Sequence, residues 1–169
     1  MDIRVAVVGI GGYGEGYAQE LLKASGNRGV RLVAGIDPAP ERSRSLPDFY
    51  QAGIAIYPSL QDFFAQDRAD LVVIASPIHM HTTQTCLSLA YGAHVLCEKP
   101  VSALIQDAHR MAEAERQAGK FVAIGYQWSF TPAIQALKRD IMAGIFGLPK
   151  RLKTRVLWPR LASYYQRNR

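Results

Sequence analysis

The residues of this chain most able to do chemistry are a glycine cluster, Gly9-Ile10-Gly11-Gly12-Tyr13-Gly14, and an acid at Asp37. The cluster follows directly on the apolar run Ile3-Arg4-Val5-Ala6-Val7-Val8. In that context the first glycine permits a tight turn and the second lets backbone approach a pyrophosphate. The third lets the next helix pack closely on the strand. The unpaired N–H groups and partial positive charge at that helix's start favour a phosphate. Asp37 closes the next apolar run, 23 positions after Gly14, close to the roughly 20 expected of a carboxylate that hydrogen-bonds an adenosine ribose. Strand, loop, helix, strand and terminal acid in that order predict a dinucleotide site on a βαβ unit. Gly9, Gly11, Gly12, Tyr13, Gly14 and Asp37 are its candidate residues.

The elements that must hold these residues alternate along the chain. Residues 15–24 read as a helix, and 30–36 as a strand whose continuous apolar run suits a parallel sheet covered on both faces. Pro38 and Pro40 break the chain, and 54–57 is a short third strand. Ser59 is placed to cap a helix carrying Leu60, Phe63 and Phe64. A fourth strand at 71–75 stops at Ser76-Pro77, and a helix at 79–90 ends at Gly92. A fifth strand at 95–97 precedes a helix capped by Ser102, bearing Leu104, Ala108, Met111 and Ala112 and stopped at Gly119. A sixth strand follows at 121–124. Such alternation predicts an α/β fold, a doubly wound parallel sheet with helices on both faces. Thr131-Pro132 then opens a helix striped by Ile134, Leu137, Ile141 and Ile145. From 151 to 158, Arg151, Lys153 and Arg155 alternate with Leu152, Thr154, Val156 and Trp158. That two-residue period predicts a strand with one solvent face, as in an antiparallel sheet.

Composition narrows the class. Of 169 residues, 49% are hydrophobic and 20% charged, an ordinary globular composition. The net charge of +6 is local: residues 150–169 hold seven of the 20 Lys and Arg and no acid, leaving 13 basic and 14 acidic residues before them. The nucleotide-binding part is therefore near neutral, which argues against nucleic acid as a partner. Cys86 and Cys97 fit no metal spacing, so no metal site is expected, and Cys97 reads as a core thiol of a reducing compartment. No run of roughly 20 apolar residues is available to span a bilayer. Met1-Asp2-Ile3-Arg4 leads straight into the first strand, so no signal peptide and a cytoplasmic location are expected.

Ala75-Ser76-Pro77, the following helix with His81, His94-Val95-Leu96-Cys97-Glu98-Lys99-Pro100, and Phe146-Gly147-Leu148-Pro149 ahead of the basic segment give the chain its likeness. It resembles, over its whole length, the Gfo/Idh/MocA oxidoreductases, which include glucose–fructose oxidoreductase and inositol dehydrogenases. Glu-Lys-Pro after a strand, at this distance from the glycine loop, is the most specific element. The resemblance implies a Rossmann sheet and the start of an antiparallel α+β second domain. It assigns 1–125 to the dinucleotide-binding domain and 126–169 to the opening of a truncated substrate and oligomerisation domain. It implies that Lys99 lies beside nicotinamide and substrate hydroxyl as the catalytic residue, that Glu98 and Pro100 shape that turn, and that Ala75, Ser76, Pro77, His81 and Glu98 belong to the cofactor site. A sugar or polyol substrate and a homo-oligomer are implied as well. The chain departs from the family at Tyr126-Gln127-Trp128-Ser129-Phe130, where members often carry Arg, and it lacks the Asp and His that many members supply from the second domain.

The chemistry agrees with this resemblance. Oxidising a secondary alcohol removes an O–H proton as hydride leaves carbon, and an ammonium at the sheet's C-terminal edge can hold that oxygen. Asp37 favours a ribose diol over a 2′-phosphate, so NAD is expected over NADP. A short-chain dehydrogenase is disfavoured because no Tyr has Lys four positions later. A methyltransferase is disfavoured by Val8 and Tyr13. The competing class is a non-catalytic dinucleotide-binding or redox-sensing module. The residues that would name the substrate are not in this sequence.

Overall fold

The computed structural model describes residues 2–26 and 29–166. Among these residues six strands, β1 (Ile3–Val8), β2 (Val30–Ile36), β3 (Ala55–Tyr57), β4 (Leu71–Ile74), β5 (His94–Cys97) and β6 (Val122–Ile124), pair in the order β3-β2-β1-β4-β5-β6. Every pairing is parallel. The order reverses direction between β1 and β4, and open sheets of this kind bind ligands outside the strand C-termini at such a point.

Alternation along the strands builds two cores. Val5, Val7, Leu32 and Val73 point to one face, where they join Ala18 of α1 (Gly14–Ala24) and Phe49 of α2 (Leu46–Gln51). Ala6, Val8, Ile36, Val72, Ile74, Val95 and Cys97 point to the other. There they meet Leu60, Phe63 and Phe64 of α3 (Leu60–Gln66), Leu89 of α4 (His81–Ala90) and Met111 of α5 (Ile105–Ala118). A strand puts successive side chains on opposite faces, so one run such as β1 feeds both layers.

The local signals mostly act as expected. Ser59 caps α3, its Oγ accepting from the Asp62 N–H at 3.1 Å, and Gly119 ends α5 with φ +61°. Ser102 does not cap α5. Its Oγ donates to the Leu104 carbonyl at 2.8 Å, and Leu104 takes the cap position. The expected helix at 79–90 begins as a 3-10 turn (Ile78–Met80) before α4. Helix α2 was not expected: it has six residues with Pro47 in its first turn, too short for periodicity to register.

The chain divides into two compact units, Met1–Tyr126 and Gln127–Arg169. The second holds a 3-10 turn (Gln127–Phe130), α6 (Pro132–Met142) and α7 (Ala162–Gln166). The strand expected at 151–158 is not formed: the segment has no regular structure, and Leu152 is 92% and Trp158 61% exposed. A strand needs a neighbour for its N–H and C=O groups, and among the described residues of this unit there is no other strand. The sheet of a second domain is therefore not visible. Arg167, Asn168 and Arg169 lie outside the described residues. Among the described residues no helix is long and apolar enough to cross a membrane.

Candidate functional site

The glycine loop is shaped by what its neighbours exclude. Gly9, at φ +80°, lies so close to the end of β4 that a Cβ would stand 2.9 Å from Ala75 C and Ser76 N. A Cβ on Gly14 would fall 1.7 Å from the Gly9 carbonyl oxygen, so α1 can start directly behind β1 only with glycine there. By contrast a Cβ on Gly12, at φ +56°, meets nothing within 4 Å. The loop is thus tight where Gly9 and Gly14 pack and open at Gly12. It leads into the 11-residue α1, and a helix N-terminus favours an anion such as a pyrophosphate.

Asp37 ties the loop to the end of β2. Its Oδ2 accepts from the Ile10 N–H at 3.1 Å and its Oδ1 from the Ala39 N–H at 2.9 Å. Each carboxylate oxygen keeps a further lone pair for a ligand. Ser43, which sequence reasoning misses, is buried and donates to the Ile10 carbonyl at 2.8 Å. The motif extends to Asp37, whereas this clamp comes from the irregular chain beyond it and has no spacing signal.

The turn after β5 stands on the other side of β4. Glu98 is buried. Its Oε1 accepts from the Tyr17 hydroxyl at 2.6 Å, and its Oε2 accepts from the Lys99 N–H at 2.9 Å. Gly125 makes room for this carboxylate, since a Cβ there would stand 2.8 Å from Glu98 Oε1. Burial, and then the bond to Glu98, push the Tyr17 phenol well above the ordinary tyrosine value. Lys99 is exposed, with its Nζ 4.8 Å from the centre of the Tyr13 ring.

His81 is buried, and its ring lies between two loops. Nε2 is 3.0 Å from the Ser76 carbonyl oxygen and Nδ1 is 3.0 Å from that of Pro100. A neutral imidazole donates to one of these. Ser76 Oγ donates to Gln84 Oε1 at 2.5 Å, while Pro77 is exposed. Cys97, at the end of β5, is fully buried, and that burial pushes its thiol up to about 12. The loops carrying Gly9 to Gly14, Ala75 to Pro77 and Glu98 to Pro100 therefore meet at one edge of the sheet. Tyr17, Gly125 and Gln84 are supports that the sequence alone does not single out.

Residues 3–126 match the GFO_IDH_MocA family, described as an oxidoreductase family with an NAD-binding Rossmann fold. The inositol 2-dehydrogenase 1 of Saccharopolyspora erythraea is 33% identical over 150 residues, which is 88% of this chain and 44% of that protein. The inositol 2-dehydrogenase of Acidothermus cellulolyticus is 30% identical over 149 residues, 88% of this chain and 43% of that protein. Among solved structures, the WlbA dehydrogenase of Bordetella pertussis, in complex with NADH and UDP-GlcNAcA, superposes with a TM-score of 0.75 at 30% identity. That match covers 87% of this chain and 44% of the other. The chain spans less than half the length of the curated relatives it matches.

Proposed function

The chain belongs to the Gfo/Idh/MocA oxidoreductase family, and from that premise we propose that residues 1–125 are the NAD(H)-binding domain of a dehydrogenase acting on a sugar or polyol hydroxyl. Residues 126–169 are then the opening of the substrate and oligomerisation domain. The observation that carries the reading is the meeting of the cleared glycine loop, the Asp37 carboxylate and the Lys99 ammonium at one edge of one sheet. The inositol and UDP-sugar dehydrogenases among its relatives support the substrate class.

NAD(H) supplies the hydride acceptor and donor. The residues present fit it: the glycine loop is open at Gly12, and the N-terminus of α1 would favour its pyrophosphate. The remaining lone pairs of Asp37 would accept the two adenosine ribose hydroxyls. A 2′-phosphate would meet like charge there, and Pro38 and Ala39 bring no cation. Gly9, Gly11, Gly12, Tyr13, Gly14, Ala75, Ser76 and Pro77 would line the dinucleotide. His81 serves it indirectly, by holding the Ser76 and Pro100 loops together.

Lys99 is the catalytic residue. Its ammonium would hold the substrate hydroxyl oxygen and stabilise negative charge developing on it. Glu98 and Pro100 set the turn that aims it. The whole protein is cytoplasmic, where the thiols of Cys86 and Cys97 stay reduced, and it assembles with copies of itself.

In solution, the 169-residue chain should enhance the fluorescence of NADH on binding yet oxidise no polyol at a useful rate. The relatives are more than twice as long, and positioning substrate accounts for roughly 7–11 kcal/mol of a barrier. Failure to bind NADH would remove the cofactor reading. Robust polyol oxidation by this chain, abolished in Lys99→Ala, would remove the need for further substrate walls.

A further inference from the structure

Lys99 is exposed, and a lysine side chain is a flexible four-carbon stem with a strongly hydrated head. Left to itself such a group samples many rotamers. Here both ends of Lys99 are held, its head directly by a residue that begins α1 and its backbone through Glu98, which a second residue of α1 bonds. At the backbone end, the Lys99 N–H donates to Glu98 Oε2 at 2.9 Å, while Glu98 Oε1 is fixed by the Tyr17 hydroxyl at 2.6 Å. At the head, the ammonium rests over the Tyr13 ring at 4.8 Å from its centre. That lies inside the roughly 6 Å reach of a cation–π contact.

Tyr13 and Tyr17 are four residues apart at the start of α1, a spacing that brings two side chains to one face of a helix. Tyr13 stands between Gly12, at φ +56°, and Gly14, so the glycine loop itself aims the ring. Tyr13 follows β1 and Lys99 follows β5, with β4 between them in the sheet. The contact therefore spans the crevice beside the topological switch point.

We propose that Tyr13 and Tyr17 are positioning residues for Lys99, Tyr17 fixing its backbone through Glu98 and Tyr13 providing the rest for its ammonium. The inference rests on the reading of Lys99 as the hydroxyl-holding group. It gives the glycine loop a second role. Besides receiving phosphate, the loop presets the direction of the lysine before substrate arrives. Any shift of the loop on cofactor entry is then felt at the ammonium. Gly125 is part of the same device, because any side chain there would displace the Glu98 carboxylate that Tyr17 holds.

Nuclear magnetic resonance on the 169-residue chain tests this without turnover. The ring current of Tyr13 should displace the Lys99 ε-methylene protons upfield of the other lysines in the native chain and in Tyr13→Phe. In Tyr13→Leu the held rotamer should lose population roughly two- to fivefold, and the resonance should return to the ordinary lysine position. Tyr17→Phe keeps the ring and removes only the hydroxyl. It should leave the spectrum folded and move the Lys99 amide resonance, which Tyr13→Leu should leave nearly in place.

An ε-methylene resonance that is the same in the native chain and in Tyr13→Leu would overturn the ammonium rest. A Lys99 amide unmoved in a folded Tyr17→Phe chain would overturn the Glu98 relay. Adding NADH to the same samples separates the two readings. If the Gly11, Gly12 and Lys99 resonances do not respond, the cofactor reading fails, whatever the tyrosine variants have shown.

Discussion

The two units of this chain are built from similar side chains and end in different states. In Met1–Tyr126, Val7 and Phe63 have no exposed surface. In the second unit no described residue is buried, and Leu148 and Leu152 are 90% and 92% exposed. The difference lies in what each pattern needs in order to be satisfied. Helix α6 forms because its hydrogen bonds are internal to the segment, as any helix's are. The segment at 151–158 alternates as a strand should, but a strand's bonds must come from another strand. Apolar alternation states a preference, and a neighbouring element turns it into structure.

That contrast can be broken by mutation. Phe63→Ala removes a fully buried ring between Tyr57 and Phe64. It should lower unfolding free energy by about 3–5 kcal/mol, measured as a shifted midpoint in urea. A loss below about 1 kcal/mol would mean the core of the first unit is not packed as described.

A smaller effect concerns pH. The Tyr17 phenol, raised by burial and by its bond to Glu98, keeps its proton in the folded chain above the ordinary value of 10.0. The unfolded chain releases its proton from 10.0 upward. The contribution is therefore complete below that pH and is lost as pH rises beyond it. Unfolding of the native chain and of Tyr17→Phe, followed between about pH 8 and 11, should show the native chain losing stability more steeply at the alkaline end. Parallel curves would place Tyr17 in water rather than against Glu98.

The smallest effect sharpens the contrast from the other side. Leu152→Ala should change stability by no more than about 0.5 kcal/mol, since the side chain is almost wholly exposed. A loss approaching that of Phe63→Ala would show that the segment is covered in solution by another chain.

Much of the first unit is legible because its signals are local and redundant. The run Ile3 to Val8, the glycines behind it and Asp37 each favour the same βαβ unit, and Glu98-Lys99-Pro100 marks the end of β5. What cannot be read is what supports these groups from a distance in sequence. Tyr17 reaches Glu98 across 81 positions, and Ser43 reaches Ile10 across 33. Gly125 matters only because a carboxylate from another strand lies over it. The contacts of Tyr17 and Gly125 with Glu98 exist only once the sheet order β1-β4-β5-β6 is formed. The cap expected of Ser102 fails for a local reason instead. A hydroxyl of the right type stands just ahead of the helix, and the chain bonds it to the Leu104 carbonyl instead.

Dinucleotide binding through the glycine loop and Asp37, with NAD(H) preferred, is what we propose for the first unit. Calorimetry of the 169-residue chain with NADH and with NADPH tests it most directly. A hydrogen bond to a charged group contributes about 1.5–3 kcal/mol, so NADH should bind the native chain more tightly than NADPH, and Asp37→Ala should weaken NADH roughly 10- to 100-fold. Tighter binding of NADPH by the native chain, or an Asp37→Ala variant that binds NADH as well as the native chain does, would contradict the account.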